Sequence, residues 1–292
     1  MFYKLNLLHG PDHTIMGMPS FSVSMLLVVL SLLNFISEAQ RRPGQRRPGY
    51  PFLYCPEETT FTPISTYQSN LHDLLSSLTS NANRESGYYN TTAGQSPGTT
   101  IYGLFLCRGD LTPEKCQKCV ATATKEIIEK YCPVGKVAVI WYNECMLRYS
   151  NQSFLSTMDD TPIRYQHHPQ DMPDRFTQLL GTTLNDTISR ALNAPSGAKK
   201  FATKEANYTD LQTLYTLVQC IPVLLSSDCN ICLRRLKAFL PVCCNGKQGA
   251  VAMNSSCSIR YEIYPFYQLQ VDPSRAPLLA PPAPGNVPRP KG

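Results

Sequence analysis

The apolar positions of this chain fall into two alternating rhythms, and the same order of rhythms occurs twice. Within Ser65–Asn81 the leucines Leu71, Leu74, Leu75 and Leu78 recur at i, i+3, i+4 and i+7, the stripe of an amphipathic helix. Much later, DRFTQLLGTTLNDTISRAL places Phe176, Leu179, Leu180, Leu184 and Ile188 on one side, with Gly181 weakening the helix. Each is followed by a second helical pattern. Thr112 is a good N-cap and Pro113 suits the first helical position, after which Cys116, Cys119, Val120, Ala123 and Ile127 share a face. In the later copy Ser227 or Asp228 can cap, and Cys229, Cys232, Leu233, Leu236 and Leu240 keep the period. The stretches between, TIYGLFLC, VAVIWYNECMLRY and AVAMNSSCSIRYEIY, are rich in β-branched and aromatic residues and read as strands. The pattern predicts an α+β fold in which two helices pack on an antiparallel sheet, twice.

Cysteines make the duplication explicit. Cys107, Cys116 and Cys119 are spaced C-x8-C-x2-C, and Cys220, Cys229 and Cys232 repeat that spacing 113 residues later. Downstream, Cys132 and Cys145 match Cys244 and Cys257, and IYGLFLC stands beside LYTLVQC. A period this long fits tandem domains rather than a solenoid. The boundaries expected are 1–39 for a leader with an N-terminal extension, 40–50 for a basic linker, 51–155 for the first domain, 156–170 for a linker, 171–270 for the second domain and 271–292 for a proline-rich tail. That tail holds seven prolines between Pro273 and Pro290 and reads as an extended stalk.

The leader sets the compartment. Phe21 to Ile36 is an apolar run too short to span a bilayer comfortably, and Ser37, Glu38 and Ala39 follow as a cleavage region, with Met16 or Met18 as alternative starts. No later run reaches the length of a spanning helix, so a secreted, extracellular (apoplastic) chain without a transmembrane segment is expected. N-x-[ST] sequons at Asn90, Asn151, Asn185, Asn207 and Asn254 are N-glycosylation candidates that suit such a route. The net charge of +6 comes from the two arms, because residues 48–272 carry 19 basic and 19 acidic residues. A neutral body argues against a nucleic-acid partner.

Twelve cysteines in an oxidising compartment point to staples. Zinc is disfavoured because the two C-x2-C pairs lie far apart and each carries a further cysteine nine residues earlier. Dithiol redox chemistry is disfavoured because other cysteines compete for both sulfurs. No metal and no cofactor are expected. Six cysteines per copy allow 15 connectivities, and spacing alone does not choose among them. Catalysis has little to stand on: His9 and His13 lie in the leader, His72 stands alone, His167 and His168 read as loop, and Asp159 with Asp160 as polar linker. The chain is therefore read as not an enzyme, with a thiol–disulfide activity as a remote alternative. The tripeptide Arg108-Gly109-Asp110 reads as an accident of a tight loop.

The motifs TYQSNL, YGLFLCRGDLTPEKCQKC, VAVIWYNECMLRYSN and RYEIYPFY, with the doubled cysteine spacing, closely resemble the plant cysteine-rich repeat secretory proteins. They also resemble the ectodomains of cysteine-rich receptor-like kinases, both built from ginkbilobin-type, or stress-antifungal, domains. The resemblance implies bridges Cys55–Cys132, Cys107–Cys116 and Cys119–Cys145 in the first domain, and Cys220–Cys229 and Cys232–Cys257 in the second. No cysteine matches Cys55 in RYQHHPQDMPDRF, so Cys243 and Cys244 are left unassigned: a vicinal bridge, an intermolecular bond or free thiols. The resemblance also implies a mannose site made of an Asn, an Arg and a Glu. Here the first domain offers Pro56, Val139 and Ser150 at those positions, and the second offers Val251 and Glu262. Glu262 is the remaining sugar-binding candidate, with a partnership to Arg260 as the alternative.

Three functions follow as expectations. The first is a secreted binding module in plant defence or stress signalling, recognising a cell-wall or fungal glycan or a receptor ectodomain. The second is a truncated receptor-kinase ectodomain that acts by ectodomain association. The third is the thiol–disulfide activity. The sequence fixes no oligomeric state.

Overall fold

The computed structural model describes residues 51–195 and 198–268. The leader, the basic arm and the proline-rich tail expected from the sequence lie outside these residues. In the first domain the elements are β1 (Phe52–Tyr54), α1 (Thr66–Ser80), β2 (Tyr88–Ala93), β3 (Ile101–Cys107), α2 (Pro113–Glu126), β4 (Val137–Trp141) and β5 (Cys145–Ser150). The second domain repeats them as β6 (Arg164–His167), α3 (Asp174–Leu192), β7 (Phe201–Asn207), β8 (Thr213–Cys220), α4 (Ser226–Cys244), β9 (Ala250–Met253) and β10 (Cys257–Glu262). The sheets run β1-β4-β5-β3-β2 and β6-β9-β10-β8-β7, with every pairing antiparallel.

Local chemistry places the helices. Ser65 Oγ accepts from Gln68 N ahead of α1, and Thr112 Oγ1 accepts from Lys115 N ahead of α2, where Pro113 takes the first position. The helix α2 widens into a π turn at Ile127–Tyr131 before Cys132. One expectation needs correction: Ser227 and Asp228 lie inside the first turn of α4, and Leu225 precedes it without a side-chain cap. Asp228 there favours the helix through its charge near the N-terminus.

Both sheets bury both faces. On the helix side of the first sheet lie Ile101, Phe105, Cys107, Ala138, Ile140, Leu147 and Tyr149, packed with the leucine stripe of α1. Gly103 lets α1 approach the sheet closely, since a Cβ at that position would lie 2.6 Å from Leu74 Cδ2 and that side chain would have to shift. The alternate residues Phe52, Leu104, Val139, Trp141 and Met146 point the other way and join one continuous core with the second domain. The domains are thus fused through the sheet faces turned away from their helices. Polar bonds pin the join. Gln219 Nε2 donates to Cys107 O (3.0 Å), Gln219 Oε1 accepts from Gly109 N (3.2 Å), and Trp141 Nε1 donates to Asn254 O (3.3 Å). Gly109 sits so close to the second domain that a Cβ would lie 2.3 Å from Phe201 Cγ.

The segment 156–170, expected as a linker, is structured. It supplies β6, which pairs with β9, and Arg164 Nε donates to Leu53 O of the first domain (3.1 Å). The adjacent acids Asp159 and Asp160 belong to this clamp. Asp159 binds Arg148 Nη2 at 2.7 Å while its own N–H donates to Ser256 Oγ at 2.8 Å, and Asp160 pairs with Arg235.

Six disulfides lie among the described residues: Cys55–Cys132, Cys107–Cys116, Cys119–Cys145, Cys220–Cys229, Cys232–Cys257 and Cys243–Cys244. The last closes the vicinal pair at the end of α4. The two bridges that span nine positions each tie a strand end to the start of the following helix: Cys107–Cys116 joins β3 to α2 and Cys220–Cys229 joins β8 to α4.

Candidate functional site

Strand register aligns the two domains where the cysteines do not. Tyr54 faces Val139 in the first sheet and Gln166 faces Val251 in the second, so His167 stands at the place of Cys55 and His168 at the place of Pro56. The positions at which the resemblance implies a sugar site are therefore Pro56, Val139 and Ser150 in one domain and His168, Val251 and Glu262 in the other. Val139 is 1% exposed within the inter-domain core. Ser150 is buried as well, and its Oγ accepts from Gln152 N (3.0 Å). The first domain presents no amide, guanidinium or carboxylate at these positions.

In the second domain Glu262 is 4% exposed. Its Oε1 accepts from Arg260 Nε (3.1 Å) and Nη2 (2.9 Å), and His168 Nε2 lies 3.0 Å from Oε2. Gly249 leaves room for this carboxylate, since a Cβ there would lie 2.0 Å from Oε2. Arg260 also stacks on Phe266, 4.3 Å from the ring centre. The rim is open: His168 meets exposed Tyr264 edge-on at 6.0 Å. Burial raises the pKa of the Tyr264 hydroxyl, and the Glu262 charge adds to the effect. The sequence paired Glu262 with Arg260 as an alternative but missed His168, because without a first cysteine there was no position to count from. His167 and His168 make no dyad, as His167 Nδ1 lies 2.9 Å from the carbonyl of His168.

The second feature is a cleft between the sheets. It is walled by Phe52, Trp141 and Met146 on one side and Leu217 and Met253 on the other, with Asn254 also in its lining. Asn254 is a sequon residue, yet it is 2% exposed. Its Oδ1 accepts from the N–H groups of Ser256 and Cys257, both at 2.9 Å, and so shapes the β9–β10 turn. A glycan has no room at this amide. Mass spectrometry of the secreted, folded protein is expected to find Asn254 unmodified, with occupancy at exposed Asn185 in α3 and exposed Asn207 at the end of β7. A glycan recovered on Asn254 would contradict the turn described. Asn90 lies in edge strand β2, where its Nδ2 donates to the Tyr88 hydroxyl (3.0 Å), and Asn151 follows β5, half-buried.

The Arg-Gly-Asp loop is closed on itself. Arg108 Nε and Nη2 donate to the two carboxylate oxygens of Asp110 at 2.6 and 2.9 Å, and the Asp110 side chain is 2% exposed. Burial alone would raise the Asp110 pKa. The Arg108 hydrogen bonds, the Gln268 N–H and the Arg108 charge outweigh it and hold the carboxyl below its ordinary range. A depressed folded pKa adds stability above the unfolded value, near 4, that disappears as pH falls through the folded value. The wild type is therefore expected to lose thermal stability between about pH 4 and pH 2 more steeply than Asp110→Asn. Parallel slopes in melting curves over that window would refute the linkage.

Among the described residues no group of three or more His, Cys, Asp or Glu is arranged to hold a metal ion, and no described helix is long and apolar enough to cross a membrane.

Comparison with known proteins fits this geometry. Residues 54–152 and 165–264 each match the model of the salt stress response/antifungal family. The chain belongs to that family. Among relatives of this salt stress response/antifungal pair is cysteine-rich receptor-like protein kinase 25 of Arabidopsis thaliana. It is 42% identical over 257 residues, covering 84% of this chain and 37% of that protein. Putative cysteine-rich receptor-like protein kinase 9 of the same plant is 38% identical, covering 84% of this chain and 92% of that protein. Against the first of these the chain spans little more than a third of the relative's length. The crystal structure of the tandem DUF26 ectodomain of the Arabidopsis thaliana cysteine-rich receptor-like protein PDLP5 superposes with a TM-score of 0.60. It is 29% identical, over 74% of this chain and 99% of that one. The corresponding PDLP8 ectodomain, at 23% identity, shares the fold with a TM-score of 0.62. The salt stress response/antifungal pair is thus an ectodomain-type module with the two-sheet architecture described above.

Proposed function

We propose that the chain is a secreted, non-enzymatic recognition module in plant defence or stress signalling, and that it recognises the ectodomain of a cell-surface receptor. One observation carries this reading. The positions that form the sugar site in a single domain are here either covered by the twin domain, as at Val139, or engaged internally, as at Glu262. Hydroxyl recognition through Glu262 Oε1 requires loss of its charge-assisted bonds from Arg260, while Oε2 is buried and accepts no hydrogen bond, with His168 Nε2 3.0 Å away. The family kinship with receptor-like kinases supports a protein partner. Glycan recognition is the second reading, favoured by the open rim of His168 and Tyr264 beside Glu262.

The test uses residues 40–292 from a secretory host, screened against mannan, chitin fragments, plant wall polysaccharides and receptor ectodomains of the same architecture. Binding to an ectodomain, unchanged in Glu262→Ala, is expected. Saturable mannan binding that disappears in Glu262→Ala would overturn the receptor reading and establish the glycan one.

A further inference from the structure

An open sheet has two edges, and a long uncharged edge is a template for another strand unless something guards it. The two sheets end in β1 and β2, and in β6 and β7. β1 and β6 are only 3 and 4 residues long, and Arg164 of β6 reaches across to Leu53 O of β1 (3.1 Å). β7 carries Lys204 and Glu205, and Tyr267 lies against it with its hydroxyl 3.5 Å from Lys204 O. Shortness, charge and a covering side chain guard these three edges.

The fourth edge, β2, has none of them. Its 6 residues, YYNTTA, hold no charge and no proline, and Tyr88, Tyr89, Thr91 and Thr92 all favour strands. Cys107 N donates to Gly87 O (2.8 Å), which fixes the phase of the ladder with β3. Tyr89, Thr91 and Ala93 therefore direct their backbone groups to β3, while Tyr88, Asn90 and Thr92 turn theirs outward. Ser86 Oγ serves Tyr88, donating to its carbonyl (3.0 Å) and accepting from its N–H (3.3 Å). The outward N–H and C=O groups of Asn90 and Thr92 meet no partner among the described residues. What this strand does carry is the sequon Asn90-Thr91-Thr92.

We propose that β2 pairs antiparallel with β2 of a second copy of this chain, and that an N-glycan on Asn90 is what prevents the pairing. The strand is self-complementary. With Thr91 facing its own counterpart across a twofold axis, Asn90 of each copy lies opposite Thr92 of the other, and their outward N–H and C=O groups bond to one another. No like charges meet, and the two threonines on the axis make a favourable cross-strand pair. A sugar rooted on Asn90 would stand where the second copy places its Thr92, since directly opposed side chains start about 5 Å apart. The pairing uses the first domain alone and does not rest on the receptor reading.

Variants within one sequon separate the glycan from the edge. Asn90→Gln and Thr92→Val both remove the sugar and keep the edge. Thr92→Lys removes the same sugar but sets a charge on the edge, at a side chain that is already exposed. Each would be secreted from a glycosylating host and followed by sedimentation up to about 1 mM. Wild type with an occupied Asn90 is expected as monomer, and both sugar-free edge variants as dimer. Thr92→Lys should dimerise at least about tenfold more weakly. Exchange of the amide hydrogens at positions 90 and 92 should slow about tenfold or more in the dimer, because those N–H groups become donors only across the new ladder. Two independent sugar-free variants keep the test decisive if one fails to fold. An unglycosylated Asn90 in the secreted wild type, a dimer in its glycosylated form, or monomers in the folded edge variants would each overturn the proposal. Equal dimerisation of Thr92→Lys, or a dimer that leaves amides 90 and 92 unprotected, would do the same.

Discussion

Trp141→Ala will cost about 3–5 kcal/mol of folding stability, the range for deleting a large buried aromatic side chain. The side chain is 3% exposed and stands in the core shared by both sheets, and its Nε1 holds Asn254 O across the join. Truncation therefore opens a cavity between the domains and removes a polar tie at once. Unfolding in urea, followed by far-ultraviolet circular dichroism with the disulfides intact, should move from one cooperative transition toward two, because the domains lose their common core. A loss below about 1 kcal/mol with a single transition would mean that the sheet faces do not support one another.

The second large effect is expected at Cys55–Cys132. This bridge spans 77 positions, against 9 for Cys107–Cys116. In the chain-entropy account, a loop of that length contributes about 4.5 kcal/mol and the short one about 2.7 kcal/mol. The double variant Cys55→Ala/Cys132→Ala should therefore lose roughly 2 kcal/mol more than Cys107→Ala/Cys116→Ala. Both belong to the first domain, so the comparison shares one background. Equal losses in chemical denaturation would show that native-state contacts, not loop length, govern these staples. The second domain has no counterpart to this long bridge, since His167 stands at the Cys55 place and Cys244 is joined to Cys243.

The helices and strands were legible because both of their periods are written in short range. The Leu71–Leu78 stripe, the Thr112-Pro113 start and the apolar strands need only neighbouring residues to be read. The α+β architecture followed from their order. Three things were not legible. The strand at Arg164–His167 is four residues long and polar outside Tyr165, so it reads as linker until its partner β9 is known. The role of Val139 and Trp141 depends on which face of the sheet meets the twin domain, and alternation alone shows two buried faces without naming what covers them. The Asn254 turn carries a sequon that points toward the surface, whereas the side chain is buried and bonded to the backbone of its own turn. The Glu262 site was half legible: Arg260 is two residues away, but His168 arrives through strand register over a distance of nearly a hundred residues.

Duplication is a common route to avidity, with two like heads gripping two like epitopes. Here each copy has turned its sheet face toward the other, and the matching positions differ in chemistry: both Ser150 and Glu262 are buried, but only Glu262 has His168 and the exposed Tyr264 beside it. On the proposed recognition reading, the pair acts as a single head with one valence. On that reading, clustering of targets comes from several molecules brought together, and an isolated copy of this module is expected to occupy a partner without cross-linking it.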